Sequence, residues 1–171
     1  KILISCGNSE FNLNCMDANE FPNLNLEEKK EPIIIRKDDF KTLINKTSFA
    51  VSTQETRPIL TGINFIIKEN LLECIATDSY RLAKKHLNLD SKAQEDINIV
   101  IPGKNLIELT KILEDNEENI EMHVFSNKVL FKYDNILFQT RVLSGNFPDV
   151  NRLIPLSFEL SIKTNTNELF N

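Results

Sequence analysis

The chain has 171 residues, of which 41% are hydrophobic and 26% are charged, and its formal net charge at pH 7 is −5. This composition is typical of a globular protein with one well-packed domain, and it excludes an intrinsically disordered chain. The negative charge excludes a uniformly basic nucleic-acid coat, although a local basic face stays compatible with it. No apolar run approaches the roughly 20 residues of a membrane span, and no signal-peptide pattern precedes the first predicted strand. We therefore expect a cytoplasmic protein without a membrane partner.

The cysteines and histidines do not predict a metal site. Cys6, Cys15 and Cys74 lack C-x-x-C spacing, and neither His86 nor His123 stands beside a cysteine in the sequence. A structural zinc ion needs about four such ligands. We predict reduced thiols that act as small apolar residues, with no metal and no cofactor.

The first 31 residues predict a hairpin and then a polar connection. Strands are predicted over Ile2–Cys6 and Glu10–Met16, with a turn at Gly7 and Asn8 between them. The charged stretch that follows has prolines on both flanks, which is typical of an interdomain linker, and we place this linker at residues 23–31.

From residue 32 onward the chain repeats one order of elements: a strand, a helix and three strands. The predicted helices, Lys37–Ala50 and Lys104–Glu114, carry apolar residues at helical spacing. The predicted strands of the first copy are Pro32–Ile35, Thr61–Lys68, Leu71–Thr77 and Tyr80–Leu89. Those of the second copy are Ile97–Ile101, Ile120–Phe125, Val129–Tyr133 and Ile136–Leu143. This repeat predicts an α+β domain in which two helices pack on one face of antiparallel sheets.

The last 28 residues begin the same unit a third time. A turn over Ser144–Pro155 precedes a predicted strand at Ser157–Lys163 and a helix start at Asn167–Asn171. The first predicted strand likewise begins without any preceding residues that would support it. We therefore expect both ends to be cut, and the chain to belong to an array of similar domains of which the middle one is complete.

The sequence contains no glycine-rich nucleotide loop, no serine-hydrolase elbow and no zinc-protease motif. One polar group, formed by Asp78, Tyr80 and Arg81, could be interpreted as an active site, and that alternative predicts a deep cleft with shifted titrations. A hairpin turn accounts for the same residues, because Asp and Ser side chains satisfy backbone groups in turns. A third alternative is a peptide-binding module built around this hairpin.

Three motifs, taken together and in order, are similar to those of the bacterial DNA sliding clamp, the beta subunit of the replicative DNA polymerase III. They are Leu60–Phe65, Ala76–Ala83, and Phe147–Asp149 with Arg152 three residues further on. Their spacing agrees with that family over the whole middle region, and the resemblance covers essentially all of the chain. The resemblance implies the DNA-clamp fold, with a pseudo-symmetric repeat of strand, helix and three strands.

The resemblance also implies a processivity factor with no catalytic activity. Clamps of this family are head-to-tail homodimers with three similar domains per chain, and their helices line the hole that holds duplex DNA. On this basis residues 1–22 end clamp domain 1, residues 32–153 form domain 2, and residues 154–171 begin domain 3. Because most of domains 1 and 3 is missing, we expect this chain to be monomeric and unable to encircle DNA by itself.

Partners of these clamps dock short hydrophobic peptides at the boundary between domains 2 and 3. Such partners are the polymerase catalytic subunit, the clamp loader and repair proteins. The matching positions are Leu60, Thr77, Ser79, Tyr80, Arg81, Leu82, Pro148, Arg152 and Leu153. The apolar members would receive Leu or Phe anchors, and the arginines would wall them with their methylene stems. Ser79-Tyr80 stands where other clamps often carry Gly-His, so the preference for partners is expected to differ.

The resemblance further implies a face that holds duplex DNA through its phosphates, without base readout. The positions that it suggests are Lys37, Lys41, Lys46, Gln54, Arg57, Lys104 and Lys111. Lysines are also common on any solvated helix face, so that alternative stays open for each of them. A clamp of this kind would act in the cytoplasm, at the nucleoid.

Overall fold

The computed structural model describes residues 1–20, 31–114, 118–155 and 157–169. Nearly all of the predicted linker at 23–31 therefore lies outside the described residues. The predicted N-terminal hairpin is present, with β1 at Ile2–Cys6 and β2 at Ser9–Leu13 in antiparallel register. The second strand ends at Leu13, three residues before the predicted end at Met16. Gly7 takes a φ of 60° in the turn between them, a conformation that favours glycine.

The two predicted copies of strand, helix and three strands follow. The first copy consists of β3 (Ile33–Arg36), α1 (Lys37–Asn45), β4 (Gly62–Lys68), β5 (Leu71–Thr77) and β6 (Leu82–Asn88). The second consists of β7 (Ile97–Pro102), α2 (Gly103–Ile112), β8 (Asn119–Val124), β9 (Lys128–Tyr133) and β10 (Ile136–Arg141). The predicted α+β class and the order of the elements are confirmed.

The two copies exchange their first strands. The sheets have the orders β10-β9-β8-β3 and β6-β5-β4-β7, and every pairing is antiparallel. Ile35 of β3 pairs with Ile120 of β8, and Ile101 of β7 pairs with Ile63 of β4. Each sheet therefore contains three strands of one copy and the first strand of the other, which interlocks the two halves.

One hydrophobic core lies between the helices and the sheets. Alternation along the strands sends every second side chain inward, as with Ile63, Phe65 and Ile67, all fully buried. The ring centroids of Phe40 on α1 and Phe131 on β9 lie 5.3 Å apart, so the first helix packs on the sheet of the second copy. The helices thus share one core rather than serving separate sheets.

Helix α1 ends five residues earlier than predicted. The Thr47 side chain donates a hydrogen bond to the carbonyl oxygen of Leu43 at 2.7 Å, and a separate 3-10 turn covers Ser48–Ala50. Threonine competes in this way for the backbone acceptors at a helix end. The apolar periodicity continued past Asn45 because the following turn also packs on the core.

The predicted strand at Ser157–Lys163 is wrong. These residues are exposed and have no strand conformation, and among the described residues after them the one regular element is α3 (Thr166–Leu169). Alternation alone does not make a strand, because backbone donors and acceptors need a neighbouring strand to pair with. No helix in the described part of the chain is long and apolar enough to cross a membrane.

Candidate functional site

One end of the β6-β5-β4-β7 sheet carries residues that point away from the core. Thr77 on β5 pairs with Leu82 on β6, and the register between Asn64 and Ile75, continued by two residues, sets Gly62 beside Thr77. Since side chains alternate along a strand, these three residues share the face opposite to the helices. Thr77 is 5% exposed and Leu82 is half-buried, so this row is partly covered.

The loop between β5 and β6 is a four-residue turn, because β6 begins at Leu82 and not at Tyr80, where the predicted strand begins. The Thr77 hydroxyl donates to the carbonyl oxygen of Arg81 at 2.7 Å and accepts the backbone N–H of Ser79 at 3.1 Å. Ser79 has a φ of 78°, which few residues other than glycine adopt. Tyr80 stands at the tip with 97% of its surface exposed.

Both oxygens of the Asp78 carboxylate accept hydrogen bonds from within the turn. One oxygen accepts the backbone N–H groups of Tyr80 and Arg81, each at 3.0 Å, and the other accepts Nε of Arg81 at 3.0 Å. The N–H groups of Arg81 and then Tyr80 lower the pKa of Asp78. These bonds stabilise an exposed turn, and they disfavour the catalytic interpretation, which required Asp78, Tyr80 and Arg81 in a deep cleft.

A 3-10 turn at Pro58–Thr61 connects this hairpin to the chain that follows β10. Just before this turn, Nη1 of Arg57 donates to the Ser79 hydroxyl at 3.2 Å. On the other side, a Cβ added to Gly145 would lie 3.9 Å from Cβ of Ile59. Leu60, inside the turn, is 2% exposed. The turn therefore joins three segments that are distant in the sequence.

The chain after β10 crosses the end of the same sheet. The backbone N–H of Leu143 donates to the carbonyl oxygen of Val100 at 2.8 Å, and Val150 is 2% exposed. Pro148 is half-buried, whereas Leu153 is 67% exposed. We name the predicted set of Leu60, Thr77, Ser79, Tyr80, Arg81, Leu82, Pro148, Arg152 and Leu153 the docking surface.

Two arginines of the docking surface are held by aspartates three residues before them. Arg81 Nε lies 3.0 Å from Asp78, and Arg152 Nε lies 3.4 Å from Asp149. The Arg81 and Arg152 side chains are nevertheless 58% and 88% exposed. Sequence reasoning missed these pairs, although the shared Asp-x-x-Arg spacing at 78–81 and 149–152 is the signal that could have revealed them. It also missed the contact of Arg57 with Ser79, for which the sequence offers no local signal.

Lys37 was predicted to face DNA, and this is wrong. Its side chain is 1% exposed, and Nζ lies 2.7 Å from Glu118 Oε2 and 3.5 Å from Asp134 Oδ2. The hydrogen bond to Glu118 is the main cause that raises the pKa of Lys37. Lys37 is the first residue of α1, where its ammonium group turns onto the Tyr133 ring, 5.2 Å from the centroid, instead of lying on the solvated helix face.

The other predicted DNA-facing residues differ in how free their side chains are. Lys41 is half-buried and its Nζ donates to the carbonyl oxygen of Leu113 at 3.2 Å, while Lys111 pairs with Glu108 at 2.7 Å. The remaining positions are exposed: Lys46, Gln54, Arg57 and Lys104. In the described part of the chain, no group of three or more His, Cys, Asp or Glu side chains could hold a metal ion.

Comparison with known proteins identifies the family of this chain. The family model for the central domain of the DNA polymerase III beta subunit matches residues 34–149. A beta sliding clamp from Bacillus subtilis (strain 168) is 48% identical over 166 residues, which cover 97% of this chain and 44% of that protein. One from Staphylococcus aureus (strain N315) is 45% identical over 168 residues, which cover 98% of this chain and 44% of that protein. The chain thus spans less than half the length of these curated relatives.

Solved structures have the same fold. A crystal structure of the DNA polymerase sliding clamp from Bacillus subtilis matches with a TM-score of 0.83 and 49% identity, covering 91% of this chain and 41% of that one. A sliding clamp from Pseudomonas aeruginosa bound to griselimycin matches with a TM-score of 0.79 and 27% identity, covering 92% and 42%. Together with the interlocked strand-helix-strand repeats, these matches establish that the chain belongs to the family of bacterial sliding clamps, the beta subunits of DNA polymerase III.

Proposed function

We propose that the chain forms the middle of a ring-shaped processivity factor that encircles duplex DNA and tethers the replicative polymerase. The observation that carries this proposal is the meeting of the hairpin, the Pro58–Thr61 turn and the segment 143–145 at one sheet end, in a protein of the sliding-clamp family. The proposed role is non-catalytic and cytoplasmic. It requires no cofactor, because a ring holds DNA by topology.

The docking surface supports the binding of short hydrophobic peptides. Leu82 and Pro148 are half-buried apolar members of this set, and Tyr80 and Leu153 are exposed ones. Burial of about 300 Å² at roughly 25 cal/mol per Å² corresponds to about 7 kcal/mol before entropic costs. Those costs reduce the affinity of a peptide to about the micromolar range. The proposed partners are the polymerase catalytic subunit, the clamp loader and repair proteins.

A fluorescent peptide with Leu and Phe anchors tests this site. Its Kd, measured by anisotropy, should rise at least about 5-fold in Leu82→Ala, which removes roughly 1 kcal/mol or more of apolar contact, and also in Arg152→Ala. The matched controls are Leu137→Ala and Arg141→Ala, an exposed leucine and an exposed arginine on the other sheet. Equal Kd values for the site variants and the wild type would contradict the proposed site.

Two exposed lysines, Lys46 directly after α1 and Lys104 on α2, are the proposed contacts with DNA phosphates. Lys46 and Lys104 are exposed, and no ion pair among the described residues includes either of them. Nonspecific contacts of this kind weaken as salt increases, because binding releases counterions. Anisotropy of a labelled duplex should therefore give a Kd that rises with salt and that rises further in Lys46→Glu and Lys104→Glu. Lys68→Glu, at the exposed end of β4, is the control.

The proposed domain organisation assigns residues 1–22 to the end of clamp domain 1, 32–153 to domain 2 and 154–171 to the start of domain 3. It also assigns head-to-tail dimerisation to the whole clamp. Because this chain would lack most of domains 1 and 3, light scattering should give the mass of a monomer. A stable ring-sized dimer of this chain would contradict that organisation. Peptide binding without any DNA binding would contradict the proposed phosphate contact and leave the proposed peptide site standing.

A further inference from the structure

Arg57 lies between two surfaces that the proposed function gives to different ligands. It follows the loop that carries Gln54, which is proposed to approach DNA, and its Nη1 donates to Ser79 at the tip of the docking hairpin at 3.2 Å. Both side chains are exposed. The same guanidinium group is thus within reach of solvent, of the loop and of the hairpin tip.

The charge of Arg57 is the least compensated among the arginines of this region. Asp78 and Asp149 neutralise Arg81 and Arg152, whereas no ion pair in the described part of the chain includes Arg57. Its partner, the Ser79 hydroxyl, is a neutral acceptor. A hydrogen bond to an ionised acceptor such as a phosphate is roughly twice as strong as one between neutral groups. A phosphate near the loop would therefore displace Ser79 from Arg57.

Loss of this contact would destabilise the backbone conformation of Ser79. Its φ of 78° is unfavourable for a residue with a Cβ atom, so the surroundings must hold it there. The contacts on Ser79 itself are the Thr77 hydroxyl, which accepts the Ser79 N–H at 3.1 Å, and the Arg57 side chain, while Asp78 holds the N–H groups of Tyr80 and Arg81. Release of Arg57 removes one of the two contacts on Ser79, so Ser79 samples other conformations at the tip while the bonds of Asp78 persist.

We infer that Arg57 and Ser79 form a releasable latch, through which DNA phosphate bound at the loop weakens peptide docking at the hairpin. This inference rests on the proposed function. The latched tip is pre-organised for a peptide, and a released tip must be ordered again when the peptide binds. A single exposed hydrogen bond limits the effect to about 2- to 10-fold in the peptide Kd. By linkage, the peptide weakens the binding of DNA by the same factor.

The test measures the peptide Kd with and without a saturating 20-base-pair duplex, in the wild type and in Ser79→Ala. The duplex should raise the wild-type Kd about 2- to 10-fold. In Ser79→Ala the Kd should already be raised by that factor without DNA, and the duplex should not change it further. Ser126→Ala, at the exposed turn before β9, should behave as the wild type. Sodium chloride at matched ionic strength and inorganic phosphate are added as separate arms.

The other outcomes distinguish failure of the latch from failure of the proposed DNA contact. If labelled DNA binds but the peptide Kd stays constant, falls, or changes equally in the wild type and Ser79→Ala, the latch is refuted and the clamp function stands. If sodium chloride alone reproduces the increase, the effect is screening and the latch is refuted. An equal effect of inorganic phosphate would refute DNA as the specific source of the phosphate. If labelled DNA does not bind at all, the proposed DNA contact fails and the latch fails with it.

Discussion

Lys37 Nζ lies 2.7 Å from Glu118 Oε2, and the backbone N–H of Lys37 donates to the carbonyl oxygen of the same Glu118 at 2.9 Å. The first residue of α1 is therefore fixed twice to the residue that precedes β8, so these contacts join the two copies of the repeat. Tyr133 continues this connection, because its hydroxyl donates to the carbonyl oxygen of Ile112 at the end of α2 at 3.2 Å.

Substitution of Lys37 should separate the value of the ion pair from the cost of an unmatched charge. Lys37→Met keeps an apolar stem, and Glu118 and Asp134 are exposed enough to be hydrated, so the free energy of unfolding should fall by only about 1–2 kcal/mol. Lys37→Glu buries a negative charge beside two others and should cost about 3–5 kcal/mol. Urea unfolding followed by circular dichroism measures both. Equal losses in the two variants would contradict this account.

Alkaline pH should destabilise the protein through Lys37 and Tyr133. Burial raises the pKa of Tyr133, and the hydrogen bond to Glu118 raises the pKa of Lys37. Above about pH 10 the unfolded chain loses these protons first, so the folded state binds more protons and its stability falls as pH increases. Urea midpoints from pH 8 to 11 should fall less steeply in Tyr133→Phe. An unchanged slope in that variant would show that Tyr133 does not contribute.

Gly62→Ala should destabilise the sheet end that carries the docking surface. A Cβ added to Gly62 would lie 2.5 Å from Val100 Cγ1 and 2.8 Å from both the carbonyl oxygen of Ile101 and Leu143 Cδ1. The backbone oxygen cannot move without breaking the sheet, so we expect a loss of about 1–3 kcal/mol. Gly103→Ala is the graded comparison, since its closest atom, Val51 Cγ1, is 3.0 Å away, and urea unfolding should rank it as milder.

Thr77→Val should damage the hairpin without changing its volume. The substitution removes the bond to the carbonyl oxygen of Arg81 and the acceptor for the N–H of Ser79, which should cost about 1–2 kcal/mol of stability. The peptide Kd should rise as well, because the tip is less ordered. Thr77→Ser keeps the hydroxyl group and serves as the control. A valine variant that binds the peptide as the serine variant does would contradict the role of this hydroxyl.

The three thiols should react at two very different rates. Cys6 and Cys15 are exposed on the N-terminal segment, whereas Cys74 is fully buried on β5, and burial raises the pKa of its thiol. Ellman's reagent should therefore label two thiols quickly, and the third only at the rate of unfolding. Added urea should accelerate only the slow phase. Rapid labelling of three thiols in buffer would show that the core around Cys74 opens easily.

Local signals in the sequence predicted most elements, because alternation and helical spacing record which face of an element is buried. They located β5 to the residue, at Leu71–Thr77. They did not predict that β3 pairs with β8 and β7 with β4, since nothing within a strand states which distant strand it joins. The error at Ser157–Lys163 has the same origin, because the pattern was present without a neighbour to pair with.

The candidate site was predicted less completely. The resemblance suggested the positions, and the structure places Leu60, Thr77 and Leu82 at one sheet end. The prediction that Lys37 faces DNA was wrong because a lysine in the first helical position can turn back into the protein. Composition does not distinguish such a lysine from the exposed Lys46. The bond between Arg57 and Ser79 joins segments 22 residues apart, and only the folded chain reveals it.

The exchange of β3 and β7 makes the domain equivalent to a domain-swapped pair joined into one polypeptide. Each half contributes its first strand to the sheet of the other half, and it receives from the other half the strand that completes its own sheet. A half expressed alone would therefore gain its missing strand from a second copy of itself, as two molecules that trade identical arms. The connection between β6 and β7 makes that exchange intramolecular, so the pairing no longer depends on protein concentration.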